Sequence, residues 1–142
     1  MISYEQDFYS WTQEQAKLLR SGQLDCLDIP NLIEEIETMG RSEKRELESR
    51  LTVLLLHLLK WKYQEIRRSR SWQLSIDEQR IKFEETLEEN PGLKPKLDEL
   101  FKRAYRLAVI QASRETNLSK SIFPEQCPWE LNQLIKEDYY PD

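Results

Sequence analysis

Glu34, Glu37 and His57 are the side chains whose types could hold a divalent metal ion. The two glutamates are one turn apart on a predicted helix, and His57 lies in the helix expected to follow it. Di-iron bundles use Glu-x-x-His pairs on two helices, because residues three apart project together. Here Leu54 stands three residues before the chain's single histidine, so two such pairs are excluded. A mononuclear or magnesium-type carboxylate site stays open, since oxygen ligands leave little spacing signature. The competing interpretation is a surface ion pair between Glu37 and Arg41.

His57 is also the only histidine that could act as a general base. Such a base needs a nucleophile within hydrogen-bond reach and a neighbour that orients its ring. The sequence contains no recognisable Ser or Cys motif for that partner, and its three glycines form no phosphate-binding loop. We therefore expect no catalytic residue and no cofactor site. His57 is expected at the edge of the core, hydrogen-bonded to a carboxylate on the next helix.

The segment from Lys60 to Trp72 concentrates positive charge and aromatic rings. Its basic residues are Lys60, Lys62, Arg67, Arg68 and Arg70, and its aromatic residues are Trp61, Tyr63 and Trp72. Such a segment could neutralise phosphates and stack on unpaired bases. It could also meet a protein partner or pair with carboxylates of the same domain. The candidate interaction patch consists of Arg67, Arg68, Arg70 and Trp72.

The distribution of charge favours internal pairing of these arginines. The net charge is −5, with −6 over residues 1–40, +5 over residues 41–82 and −4 over residues 83–142. A basic middle between acidic flanks suits internal complementarity, and arginine pairs well with carboxylates. We therefore expect the arginines to pair with the acidic flanks, including the IEEIE helix. Nucleic-acid or anion binding is the alternative.

Length and composition predict one domain over residues 1–142. The chain is 39% hydrophobic and 33% charged, and three glycines are too few for a fold rich in tight turns. Its densest apolar run, LTVLLLHLLKW, is far shorter than the roughly 20 residues that span a bilayer. Acidic residues come too early for an export signal, so we expect a cytoplasmic protein without a membrane partner. Cys26 and Cys127 lack metal-ligand spacing and are expected to be reduced thiols.

Hydrophobic periodicity and capping residues predict five to six helices. The first runs from Ser3 or Asp7 to Gly22, and the second from Asp28 and Pro30 to a stop or kink at Gly40. A long central helix starts at Ser42 and ends within QEIRRSRS. The remaining helices are expected at Trp72–Glu89, at Lys94–Thr116 with Asn117 as end cap, and after Pro128.

The apolar stripes of these helices predict the core. The central helix carries Leu47, Leu51, Leu54, Leu55, Leu58 and Trp61 or Lys62. The second helix carries Leu32, Ile33, Ile36 and Met39. No segment alternates with period two for long enough to form a strand. The sequence therefore predicts an all-α, single-domain helical bundle with a long central helix.

Four blocks of the sequence resemble a known family. They are YEQDFYSWTQEQAKLLRSG, LDIPNLIEEIETMGRSEKRELESRL, LLHLLKWKYQEIRRSRSW and FPEQCPWELNQLI. Together they resemble a bacterial, largely cyanobacterial family catalogued as domain of unknown function twenty-nine. The resemblance covers essentially the whole chain and implies a small helical bundle. It implies no biochemical activity and no catalytic residue.

These patterns favour a non-enzymatic helical module that binds a partner protein, which includes a second copy of the chain. The first alternative is nucleic-acid or anion binding through Lys60 to Trp72. The second is a metal-dependent enzyme that uses Glu34, Glu37 and His57. No sequence feature fixes the oligomeric state.

Overall fold

The computed structural model describes residues 1–142 and contains five α-helices and no strand. The helices are α1 (Phe8–Arg20), α2 (Ile29–Tyr63), α3 (Arg70–Glu89), α4 (Leu97–Thr116) and α5 (Leu131–Leu134). Short 3-10 turns occupy Leu24–Cys26, Glu65–Arg67, Pro91–Lys96 and Lys120–Ile122. The prediction of an all-α fold with a long central helix is confirmed. None of the helices has a stretch long and apolar enough to cross a bilayer.

The two helices predicted on either side of Gly40 are one helix of 35 residues. The predicted stop or kink at Gly40 is therefore wrong, and Ser42 lies inside α2 rather than capping a new helix. A glycine in a helix interior costs only about 1 kcal/mol, and here Gly40 does not take the left-handed conformation that ends helices. An ion pair from Arg41 to Glu37, at 3.7 Å, also bridges the glycine on the helix surface.

The capping residues otherwise act as their types predict. Asp7, the second of the two predicted starts, caps α1 and accepts a hydrogen bond from the amide of Ser10 at 3.1 Å. Ser69 caps α3 in the same way, accepting from the amide of Trp72 at 3.2 Å. Asn117 ends α4 in the left-handed conformation with φ 62°, as predicted.

The chain divides into an N-terminal unit, Met1–Ser42, and a C-terminal unit, Glu43–Asp142. In the N-terminal unit, the carboxylate of Asp28 accepts hydrogen bonds from the indole of Trp11 at 2.9 Å and the amide side chain of Asn31 at 2.8 Å. The backbone amide of Asp28 donates to buried Gln15 at 2.8 Å. The hydrogen bonds from Asn31, then Trp11, lower the pKa of Asp28. Asp28 thus ties the start of α2 to α1.

Aromatic rings complete the N-terminal unit. Tyr4 packs edge-on against Trp11 with ring centroids 4.7 Å apart, and Phe8 stacks on Trp11 at 5.8 Å. The hydroxyl of Tyr4 donates to Glu35, and this hydrogen bond raises the pKa of Tyr4 to about 12. Trp11 is therefore the buried anchor of this unit, whereas Phe8 is half exposed.

The core of the C-terminal unit surrounds the second half of α2. All five leucines predicted for the central helix are fully buried, and Leu56 and Leu59 join them. Side chains of α3 and α4 pack against this helix and include Ile76, Phe83, Leu100, Ala104 and Ala108.

Candidate functional site

The residues considered for metal binding do not form one cluster. Glu37 lies 3.7 Å from Arg41, which is the predicted surface ion pair, and Glu34 lies 3.6 Å from the same arginine. His57 lies on the same helix, twenty residues beyond Glu37, which is more than five helical turns. No three His, Cys, Asp or Glu side chains of the chain are grouped so as to hold a metal ion.

His57 is bound to its own helix instead of a neighbouring carboxylate. Its Nδ1 hydrogen-bonds to the carbonyl of Val53 at 2.8 Å, so the predicted carboxylate partner is wrong. Burial is the main cause that lowers the pKa of His57, and the nearby Lys60 lowers it further. The bond to Val53 and the charge of Glu115 act in the opposite direction. The ring is therefore held neutral at the edge of the core.

Two of the three arginines in the candidate patch face solvent. Arg67 and Arg70 are exposed and take part in no ion pair. Arg68 is half-buried, and its Nε donates to the carbonyl of Trp61 at 2.6 Å. Within Glu43–Asp142 none of the three arginines pairs with a carboxylate, so the expected pairing with the acidic flank of residues 83–142 is wrong. In the segment from Lys60 to Trp72, only Lys60 forms an ion pair with an acidic flank, through Glu115 at 3.1 Å. Within the N-terminal unit, the IEEIE carboxylates are engaged by Arg41 and Tyr4.

The aromatic rings of the same segment are covered by neighbours. Arg68 lies over the ring of Trp61, 5.0 Å from its centroid, and Lys60 lies over the ring of Trp72 at 4.8 Å. Tyr63 packs edge-on against Phe123 at 5.2 Å. These rings stabilise the exit of α2 and do not form an open platform for stacking bases.

Arg80 is a buried side chain whose role is not predicted from the sequence. It is only 3% exposed, and its guanidinium donates to the carbonyls of Leu134, Glu137 and Tyr139. The guanidinium also lies over the ring of Tyr140 at 5.3 Å. A signal was present, because Arg80 falls between Ile76 and Phe83 on the apolar stripe of α3. An arginine at such a position is typical of a buried residue with carbonyl or carboxylate partners.

A groove of about 620 Å³ lies beside this arginine. Its wall carries the carboxylates of Asp77, Glu84, Glu137 and Asp138. Asp77 accepts a hydrogen bond from the hydroxyl of Tyr140 at 2.8 Å. The donors of Arg80 are directed to backbone carbonyls, so the groove is a by-product of how the C-terminal residues are anchored.

The N-terminal unit carries an uncovered apolar face, which we call the α2 stripe: Ile29, Ile33, Ile36 and Met39. These side chains are between 49% and 66% exposed. The prediction that Ile33, Ile36 and Met39 belong to the core is therefore wrong, and Leu32 is half-buried. Ile29, Ile33 and Ile36 follow the four-and-three spacing of a buried helix face, as Leu47, Leu51 and Leu54 do in the C-terminal unit.

Exposed apolar side chains are concentrated in this unit. Nine of the fourteen large hydrophobic residues that are exposed lie in the first 42 residues, which are less than a third of the chain. Besides the α2 stripe they are Met1, Phe8, Tyr9, Leu19 and Leu24. The same residues carry three basic and eight acidic side chains, for a net charge of −5. The surface of this unit is therefore both apolar and acidic.

Comparison with known proteins assigns the chain to a family. A family model described as Domain of unknown function DUF29 matches residues 3–140. The chain belongs to the DUF29 family. No curated protein and no solved structure matches it.

The DUF29 match covers both units and all five helices. It includes the α2 stripe, the segment from Lys60 to Trp72 and the contacts of Arg80. Both cysteines also fall within the match; Cys26 is exposed and Cys127 is half-buried, and both are free. Burial raises the pKa of the Cys127 thiol to about 11, so this thiol is protonated at neutral pH.

Proposed function

We propose that this DUF29 protein is a protein-interaction module that binds its partner through the α2 stripe. The observation that carries the proposal is the exposure of four large apolar side chains on one helix. Extended apolar patches on a folded surface mark sites where another molecule binds. An enzymatic role has no comparable support, because the candidate catalytic and metal residues are engaged in local contacts.

The geometry of the stripe suits a helix-in-groove or helix-on-helix contact. Such contacts use anchors at positions i, i+4 and i+7, which here are Ile29, Ile33 and Ile36. Burying the exposed half of an isoleucine side chain contributes roughly 1 kcal/mol, so one such contact changes affinity about five-fold. Replacing an anchor by glutamate adds the cost of placing a charge in an apolar interface. We therefore expect each substitution to weaken binding by more than about tenfold.

Nucleic-acid binding has weaker support. The exposed Arg67 and Arg70 could contact phosphates, but the nearby rings of Trp61 and Trp72 are covered by Arg68 and Lys60. Binding of single strands relies on such rings as well as on charge. The segment is therefore better suited to a protein partner or to weak, salt-sensitive association with polyanions.

Affinity capture from the source cells tests the proposal. Wild-type protein, Ile33→Glu and Ile36→Glu serve as baits, and Ile110→Glu is the control because Ile110 is an exposed isoleucine of the C-terminal unit. We expect wild type and the control to retain a defined polypeptide that both stripe variants lose. Circular dichroism checks that every bait is equally folded.

Two results would count against the proposal. One is an identical set of bound proteins with all four baits. The other is loss of the same polypeptide with Ile110→Glu, since that would make the effect nonspecific.

A further inference from the structure

A second exposed surface, in the C-terminal unit, has the opposite charge from the α2 stripe. We call it the basic turn and define it as residues 60–74. Ile66 is 99% exposed there, and the neighbouring Arg67 and Arg70 are exposed and unpaired. Leu74 adds a second exposed apolar side chain one turn beyond Arg70. Ile66 is thus a fully exposed apolar side chain that follows the exposed Glu65 and precedes the cationic Arg67 and Arg68.

The α2 stripe has the complementary arrangement. Its isoleucines lie beside Glu34 and Glu37, which are exposed and hold Arg41 only loosely, at 3.6 and 3.7 Å. A carboxylate has about four lone-pair sites and can accept from a second cation while it keeps the first. The stripe therefore offers an apolar surface for one anchor and carboxylates for flanking arginines.

We infer that the partner seated on the α2 stripe is the basic turn of a second copy of the same chain. Ile66 of one copy packs against Ile33 and Ile36 of the other. Arg67 and Arg70 then lie near Glu34 and Glu37. This inference rests on the proposed function and names its partner. The two exposed surfaces are complementary in charge, and every copy of the chain carries both.

Because the two surfaces differ, a reciprocal exchange of both contacts gives a two-fold symmetric dimer, whereas a single repeated contact is head-to-tail and extends into a chain of copies. Oppositely charged surfaces also make association sensitive to salt. We therefore expect the dissociation constant to rise about tenfold or more between 50 mM and 500 mM sodium chloride.

Sedimentation velocity on the full chain tests the inference by complementation. Ile36→Glu damages the stripe and Ile66→Glu damages the turn, while Ile110→Glu is the control. We expect wild type and the control to self-associate and each of the other variants alone to be monomeric. A mixture of Ile36→Glu with Ile66→Glu should associate, because the turn of the first and the stripe of the second are intact.

The remaining outcomes separate this inference from the proposed function. Monomeric wild type at about 100 µM, or a mixture that fails to associate, overturns the inference. In that case, stripe-dependent capture of a different protein leaves the proposed function standing. If the stripe variants behave as wild type in both experiments, both conclusions are overturned. One further outcome would assign the basic turn to nucleic acid instead. The wild type would not self-associate but would bind single-stranded DNA in a salt-sensitive way, and only Ile66→Glu and Arg67→Glu would abolish that binding.

Discussion

The guanidinium of Arg80 in α3 donates to the carbonyl of Leu134, the last residue of α5, across 2.8 Å. The carbonyls of Glu137 and Tyr139 accept from the other two nitrogens. A helix leaves its last carbonyls without partners inside the helix, and the buried guanidinium satisfies that of Leu134, while the other two acceptors lie beyond α5. One side chain thus anchors the final residues of the chain to the core of the C-terminal unit.

Replacing Arg80 by methionine should therefore destabilise the protein. The methionine keeps much of the apolar volume but leaves three carbonyls without their donor, for which we expect a loss of about 3–5 kcal/mol in the free energy of unfolding. Urea denaturation measures the loss, and Arg67→Met is the matched control. A midpoint for Arg80→Met equal to that of the control would mean that the C-terminal residues are held by other contacts.

The three arginines of the candidate patch should differ in their effect on stability. Arg68→Ala removes the bond to the carbonyl of Trp61 and the contact with its ring, so we expect a loss of about 1–2 kcal/mol. Arg67→Ala and Arg70→Ala should stay within about 0.5 kcal/mol of wild type, since both side chains are exposed and unpaired. Equal losses in all three variants, measured as denaturant midpoints, would restore the rejected internal pairing.

His57 should make stability depend on pH near neutrality. Its pKa is lowered in the folded protein, mainly by burial, so the unfolded chain binds a proton at a higher pH than the folded chain does. Stability is therefore complete above the ordinary value of 6.5 and falls as the pH drops from there towards the folded pKa. Titration of the ring protons by NMR is unambiguous because the chain has one histidine. A pKa at or above 6.5 would contradict the burial.

Truncation of Leu58 and of Ile36 should change the stability of the protein by very different amounts, although the sequence predicts both as core residues. Leu58→Ala leaves a cavity in the C-terminal unit and should cost about 2–5 kcal/mol. Ile36→Ala removes a side chain that is largely exposed and should change stability by less than about 0.5 kcal/mol. Thermal or urea unfolding distinguishes the two. A loss of several kcal/mol for Ile36→Ala would place the α2 stripe in the core.

That contrast explains how much of the fold the sequence could predict. The period of the leucines identifies the buried face of α2, and Asp7 and Asn117 identify helix ends, because these signals are local. An apolar stripe such as Ile33 and Ile36, however, has the same sequence pattern whether it is buried by its own chain or by another molecule. Periodicity alone cannot distinguish these cases.

The contacts of Arg80 and of the charged side chains were harder to predict. Their partners are distant in the sequence or are not determined by residue type. Arg80 meets acceptors 54 to 59 residues away, and backbone carbonyls have no sequence signature. The IEEIE carboxylates and Arg67 have opposite charges, but opposite charge alone does not determine which residues form an ion pair. The nearby Arg41 is the partner that Glu37 takes.

The α2 stripe as a protein-binding surface is tested most directly by cross-linking in the source cells. A photo-reactive benzophenone amino acid replaces Ile36 in one variant and the exposed Ile110 in the other, and both are irradiated. We expect a discrete cross-linked polypeptide with the probe at position 36 and none at position 110. Equal labelling at both positions, or no cross-linked polypeptide at position 36, would contradict it.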